Sequence, residues 1–210
     1  MPNAFIENLN TNFINTEKGT IEFFGPLKKE ELSKLNMDEG LNNFREPNKQ
    51  HEALITISEF DEGKVFAACH GKTIVGYITF HRPEFRRWAN SGIPELLELG
   101  GIEVSSNYRG LGVGKYLLMW TFGNYDFEDK IVISIETCYN WKTIKPNSIW
   151  EHRNLLKYIM GLVGLKSRDT DDPEVVEHLA NMLLVRVGEK VSAETISRFE
   201  KLLFKNQFIF

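Results

Sequence analysis

Cysteine is scarce: Cys69 and Cys138 are the only two in 210 residues, too few and too far apart to read as a disulfide or zinc framework. Each sits in or beside an apolar, β-type pattern, which marks it as a small buried hydrophobe rather than a nucleophile. Long apolar runs are missing too. None approaches the roughly 18 residues that a membrane span requires, and the amino terminus lacks a basic stretch followed by an apolar segment. A reduced, cytoplasmic protein is expected. There is also no basic excess: 25 Lys and Arg against 29 Asp and Glu give a formal net charge of -4, which argues against nucleic acid as a partner. The five histidines have no metal-ligand spacing, since His51-Glu52 has no second histidine at position 55. A Gly-x-Ser-x-Gly nucleophile elbow is absent as well.

What is present suits a folded enzyme. Hydrophobic residues make up 42% of the chain, enough for a substantial core. The Asn-rich opening through Glu17 predicts a partly flexible arm over residues 1–17, followed by one domain over 18–210. Thr20 to Phe24 reads as a short strand stopped by Gly25-Pro26. Helical stretches follow from Lys28 to about Leu35 and from Lys49 to Ile57. Val65 to Ala68 and Ile74 to Phe80 flank a turn-forming His70-Gly71-Lys72-Thr73 and predict an antiparallel hairpin. The segment from His81 to Pro94, with Arg82, Arg86 and Arg87, has no period and reads as a solvated loop. Leu96 to Val104 is a buried strand carrying paired glycines, where a bulge is expected. Further on, Lys130 to Thr137 is a β-branched strand and Ser148 to Leu162 a helix. A second helix is expected from Asp172-Pro173 to Gly188, with Asp as N-cap and Pro at the first position. Ser192 to Phe204 predicts a last helix, and Phe208-Ile209-Phe210 a closing strand.

The informative segment is Val104-Ser105-Ser106-Asn107-Tyr108-Arg109-Gly110-Leu111-Gly112-Val113-Gly114-Lys115. It joins a buried strand to a helix with Val113, Tyr116, Leu117, Trp120 and Thr121 on one face. Phosphate recognition needs this geometry: the unpaired N–H groups of a helix's first turn point outward, and the helix dipole adds positive potential. Alternate glycines let the main chain approach a diphosphate, while Arg109 and Lys115 add charge. Other phosphate loops fail on spacing. A Walker A loop would need glycine where Arg109 stands and Ser or Thr where Tyr116 stands. A dinucleotide fingerprint would need its third glycine where Lys115 stands.

The pattern Val104-x4-Arg109-Gly110-x-Gly112-x-Gly114 resembles the acetyl-CoA-binding motif of the GNAT acetyltransferase superfamily. That resemblance implies an α/β fold with a mixed, mostly antiparallel central sheet flanked by helices. It implies backbone contact between Ile102 to Val104 and the pantetheine arm of acetyl-CoA. It also implies that the amides of about Leu111 to Lys115, including Gly112, Val113 and Gly114, hold the diphosphate. Ala180-Asn181-x-Leu183, ending at Gly188, is similar to the superfamily's second signature but lies far downstream, so a helical insertion is expected over about 140–172. More narrowly, Lys49-Gln50-His51-Glu52-Ala53-Leu54-Ile55, Glu98-Leu99-Gly100-Gly101-Ile102-Glu103-Val104 and Thr170-Asp171-Asp172-Pro173-Glu174 resemble stretches of the acetoin utilization acetyltransferases. This likeness implies transfer of acetyl to a lysine of a protein, acetyl-CoA synthetase, in acetoin and acetate metabolism. A small polyamine-type acceptor, or a non-catalytic acyl-CoA sensor, would use the same donor turn.

A lysine amine is neutral in only about one molecule in a thousand near neutral pH, roughly 4 kcal/mol against the nucleophilic form, so a proton acceptor is needed. The superfamily often places a carboxylate at the start of the central strand, which makes Glu98 the candidate base. On a regular strand Glu98, Gly100, Ile102 and Val104 share a face and Glu103 takes the other. A bulge at the glycines would exchange them, which keeps Glu103 as the alternative. No metal is expected to take part.

Overall fold

The computed structural model describes residues 11–84, 86–141 and 148–205; the expected strand at 208–210 lies outside them. The chain forms two compact units, one of residues up to Phe80 together with Gly101–Asp126, the other of His81–Gly100 with Phe127–Phe210. Among the described residues no helix is long and apolar enough to cross a membrane.

In the first unit, strands β1 (Phe13–Thr16) and β2 (Gly19–Phe24) form a hairpin that takes in the described part of the expected arm. Two helices follow, α1 (Lys29–Leu32) and α2 (Pro47–Ser58), with the two-residue strand β3 (Asn36–Met37) between them. The expected hairpin is β4 (Lys64–His70) with β5 (Thr73–His81), paired antiparallel from Lys64–Phe80 to His70–Thr73. β2 adds to β4, and β3 pairs parallel with β5. Leu32, Leu41, Leu54, Val65, Ile74 and Tyr77 bury one core. At about 25 cal/mol per Å² of apolar surface, such burial is the dominant favourable term. Helix α4 (Val113–Asn124) completes this unit, with Val113, Leu117, Leu118 and Thr121 buried.

Strand β6 (Leu96–Val104) passes through both units and matches its sequence-predicted bounds. In the second unit Leu96–Glu98 pairs parallel with Ile131–Ile133 of β7 (Ile131–Glu136), and the register stops there although β7 continues. Strands in a β-α-β unit pair in this parallel sense. Antiparallel β9 (Met182–Val187) and β8 (Lys166–Arg168) extend the order as β6-β7-β9-β8. Around them are the short α3 (Arg86–Ala89), α5 (Ile149–Gly161), α6 (Pro173–Val176) and α7 (Ala193–Leu203), whose Phe199, Leu202 and Leu203 join Trp88, Ile131, Ile133 and Leu183 in a second core. The described residues of the span 140–172 include α5 and β8.

Two expectations are corrected. The helix predicted from Asp172-Pro173 to Gly188 is only α6; Asp172 does cap it, accepting from the Glu174 amide at 3.0 Å, but Met182–Val187 is a strand. Its first four residues are all buried between two paired neighbours, so the alternation that distinguishes a strand from a helix is missing. The solvated loop at 81–94 contains α3, and Arg87 is not solvated. Its guanidinium pairs with Asp171, lies 3.6 Å from Asp172 and donates to the Leu202 carbonyl at 2.9 Å, while the Trp88 indole donates to Asp172 at 2.7 Å.

Candidate functional site

In the first unit the end of β6 leads into a single 3-10 turn, Ser106–Tyr108, capped by the buried Ser105, whose Oγ accepts from the Asn107 amide at 3.0 Å. The same hydroxyl donates to Asp38 Oδ1 at 2.5 Å, and that oxygen also accepts from Asn107 Nδ2 and the Gly40 amide, both at 2.9 Å. Lys18, at the tip of the β1–β2 hairpin, donates to the Asn107 carbonyl at 2.5 Å, and Tyr108 OH bonds His70 Nδ1 at 2.9 Å. The approach to the glycine turn is therefore braced from three directions.

Burial disfavours the charged form of Asp38, but the bonds from Ser105, Gly40 and Asn107 outweigh it and hold its carboxyl below the ordinary value. Its contribution to stability is thus complete above the ordinary carboxylate pKa and is lost as pH falls through the depressed one. Asp38→Asn is expected to cost about 1 kcal/mol at neutral pH, because solvent screens these partly exposed bonds below the range for a buried charged group. The deficit should close on acidification, which urea unfolding of both proteins at neutral and acid pH would measure.

Beyond Tyr108, Arg109 is exposed, and Gly110 and Gly112 both stand at φ +80°, in the left-handed region that glycine adopts without strain. Gly112 is the N-cap of α4, and no side chain caps the helix. Tyr116 is the first residue to bond back, its amide reaching the Gly112 carbonyl at 3.0 Å. The amides of Val113, Gly114 and Lys115 therefore have no acceptor within the helix. Lys115 places its ammonium 5.3 Å from the Tyr116 ring centroid. Leu111 is half-buried and Val113 buried. This segment fits an anion: open amides, a helix dipole and two cations in one turn, with no side chain in the N-cap position.

Ile102 and Val104 are half-buried on β6. Glu103 points the opposite way and is 5% exposed. Its carboxylate accepts from Tyr77 OH at 2.6 Å and from the Asn43 amide at 2.8 Å. Burial, then the Glu103 charge, pushes the Tyr77 phenol well above its usual range. Glu103 thus has a structural task in this unit.

Glu98 lies in the second unit, opposite Ile133 and half-buried. Burial raises its carboxyl above the ordinary range; His81 opposes that shift, while Glu84 and Glu174 add to it. A second carboxyl, Glu136 near the end of β7, is also raised by burial, against hydrogen bonds from Ser134 and Trp141; the Ser134 hydroxyl donates to it at 2.8 Å. Cys69 is fully buried and its thiol is pushed up to about 12, as befits an inert side chain. Among the described residues no three His, Cys, Asp or Glu side chains are grouped as a metal would require.

Sequence reasoning missed Asp38, Lys18, His81, Glu84, Glu174 and Glu136. Asp38, Lys18, His81 and Glu84 belong to no local motif, and Asp38 and Lys18 meet Ser105 and Asn107 through chain crossings that no spacing rule encodes.

The acetyltransferase (GNAT) family matches residues 30–123. The acetoin utilization protein AcuA of Bacillus licheniformis is 39% identical over 199 residues, covering 94% of this chain and 95% of that protein. AcuA of Bacillus subtilis is 38% identical over 200 residues, with the same coverage. A crystal structure of the acetoin utilization protein from Exiguobacterium sibiricum matches with a TM-score of 0.87 at 33% identity, covering 93% of this chain and 94% of that one. Similarity at this level over nearly the whole length, on a mixed and mostly antiparallel set of nine strands among the described residues, means that the chain belongs to the GNAT acetyltransferase family, among the AcuA-type acetoin utilization proteins, and is an acyltransferase.

Proposed function

We propose that this protein transfers acetyl from acetyl-CoA to a lysine side chain of a protein in acetoin and acetate metabolism, with acetyl-CoA synthetase as the acceptor. Acetyltransferases of the GNAT family use acetyl-CoA, whose thioester supplies an activated acetyl group. The observation that carries the donor half of the reading is the turn from Arg109 to Lys115, where a helix opens on a left-handed glycine with no capping side chain. There the amides of Leu111 to Lys115 would hold the diphosphate, supported by Arg109 and Lys115. Each charge-assisted hydrogen bond is worth about 1.5 to 3 kcal/mol, so a few give micromolar affinity. The backbone of Ile102 to Val104 would hold the pantetheine arm.

For the acceptor half, Glu98 takes the proton from the incoming ammonium. A carboxyl raised by burial is a stronger base than an ordinary one and is better matched to an amine at neutral pH. Glu103 is the weaker choice, because both of its oxygens already accept hydrogen bonds. The likeness to AcuA proteins over nearly the whole chain supports a protein acceptor.

Incubation with acetyl-CoA and either acetyl-CoA synthetase or a polyamine, followed by intact mass, tests the reading. Addition of one acetyl group to the synthetase is expected, with loss of that addition when its reactive lysine is changed to arginine. Acetylation of the polyamine alone would assign a small-amine acetyltransferase instead, and acetyl-CoA binding with transfer to neither would assign a sensor.

A further inference from the structure

Glu98 is half-buried and has two other carboxylates near it, so a proton taken from the acceptor needs a way out before the next turnover. The last residue of β5, His81, lies against β6 at Gly100. A β-carbon built on Gly100 would stand 3.0 Å from His81 Cε1 and 2.9 Å from Cδ2, the latter closer than real β-carbons come, with Nε2 nearer still. The imidazole therefore rests against the strand at Gly100, where a β-carbon would displace it. Gly100 is two residues from Glu98, on the same face by strand alternation. The ring is oriented as well as placed. Nδ1 is 2.8 Å from the Arg82 carbonyl, and a carbonyl oxygen can only accept, so Nδ1 carries the hydrogen and the neutral ring keeps its lone pair on Nε2. The remaining groups acting on Glu98 are Glu84, after β5, and Glu174, on α6.

Resting on the reading of Glu98 as the base, we propose that His81 relays the proton that Glu98 takes from the acceptor amine, through the Nε2 lone pair held against β6 at Gly100. The ammonium N–H proton moves to the Glu98 carboxylate, leaving a neutral amine and a carboxylic acid. That acid proton passes to Nε2, restoring the carboxylate and forming an imidazolium whose Nδ1–H stays on the Arg82 carbonyl. Loss of the Nε2 proton to water returns the neutral ring. His81 acts through Glu98 and is a positioning and relay residue.

The test uses the full chain with acetyl-CoA, and with acetyl-CoA synthetase and spermidine as acceptors. Acetyl-CoA affinity and the urea midpoint are recorded for every variant. His81→Gln is expected to lower kcat by about ten- to a hundredfold at neutral pH, with acetyl-CoA affinity retained and the acid limb of the pH–rate profile left to Glu98 alone. Gly100→Ala, which keeps the histidine but displaces its ring, should reproduce the loss. In His81→Ala, added imidazole should restore part of the rate, which a packing defect would not allow. Wild-type rates and profiles in His81→Gln and Gly100→Ala would overturn the relay. So would slow variants whose profiles run parallel to wild type and ignore imidazole. Glu98→Gln in the same series separates the two readings: a slow Glu98→Gln beside a normal His81→Gln removes the relay alone, whereas a normal Glu98→Gln removes the base on which it rests. Transfer by the wild type to neither amine would sink both.

Discussion

Gly112→Asp is expected to weaken acetyl-CoA binding by at least about a hundredfold, or roughly 3 kcal/mol. Two effects combine. Gly112 stands at φ +80° and ψ 0° as the N-cap of α4, a left-handed conformation that costs a residue with a β-carbon about 1 to 2 kcal/mol, with Asp and Asn among the better tolerated. An aspartate there also caps the helix itself: its carboxylate accepts from the first-turn amides that the diphosphate would use, and adds a like charge beside a dianion. An aspartate N-cap is ordinarily stabilising, so the folded protein should hold its thermal midpoint while its ligand-induced midpoint shift disappears. Gly112→Asn separates the two contributions, because it keeps the backbone cost and capping capacity but carries no charge. Its affinity should fall between wild type and Gly112→Asp, and the gap between the two variants should shrink as salt is added, since exposed charges are screened over about 10 Å at about 0.1 M ionic strength. Calorimetry with acetyl-CoA measures all of this. An unchanged dissociation constant in Gly112→Asp would detach the diphosphate from this turn.

The contrast between this turn and the acceptor side tells which parts of the protein are legible in its sequence. The run from Leu96 through Ile135 is local: strand, left-handed glycines, amphipathic helix and β-branched strand follow one another, and each is specified by its own residues. The bounds of β6 can accordingly be read from the chain, and of the expected α4 face Val113, Leu117 and Thr121 are buried, with Leu118 buried beside them and Tyr116 and Trp120 half-buried. The caps of α6 and α7, Asp172 and Ser192, are equally local. β9 resists the same treatment because Met182-Leu183-Leu184-Val185 is apolar throughout; only its pairing with Ile133–Glu136 on one side and Lys166–Arg168 on the other makes it a strand. Tertiary pairing overrides the pattern there.

Site chemistry divides along the same line. Val104 to Lys115 is a motif because contiguous backbone does the binding, so its residues are necessarily adjacent in sequence. The bracing of Ser105 and Asn107 by Asp38 and Lys18 is invisible from the motif, since those partners come from β3's end and the first hairpin. The surroundings of Glu98 are harder still. His81 and Glu174 are brought to it from β5 and α6, and the contact of His81 with Gly100 is steric, arising only when two strands are neighbours. Strand parity, by contrast, is a sequence-level statement that discriminates well here. Alternation sends Glu103 away from Val104, and the buried Glu103 bonds to Tyr77 and Asn43 on that other face, which leaves Glu98, of the two β6 carboxylates, as the one with a raised proton affinity.

That assignment has a kinetic and a thermodynamic consequence. Glu98→Gln is expected to lower kcat by about 10²- to 10⁴-fold, the usual range for a general base, while acetyl-CoA affinity stays within a fewfold of wild type. Because burial raises the Glu98 carboxyl, the active carboxylate form is lost as pH falls through a value above the ordinary carboxylate range. The wild-type rate should therefore decline at a higher pH than an exposed glutamate would produce, and this limb should vanish from the residual rate of the variant. The same shift carries the opposite sign for folding. A carboxyl raised in the folded state is one whose charge the fold disfavours, so it weakens the protein as pH climbs from the unfolded pKa through the folded one. An uncharged glutamine of the same shape escapes that penalty. Glu98→Gln should thus unfold at a higher urea concentration than wild type at neutral pH, and at an equal one at acid pH, where both side chains are neutral. Loss of rate joined to gain of stability is the signature of a charge held in place for chemistry. A variant both slow and less stable at neutral pH would instead mean that Glu98 anchors β6 in the fold, and the base would have to be sought elsewhere, beginning with Glu136.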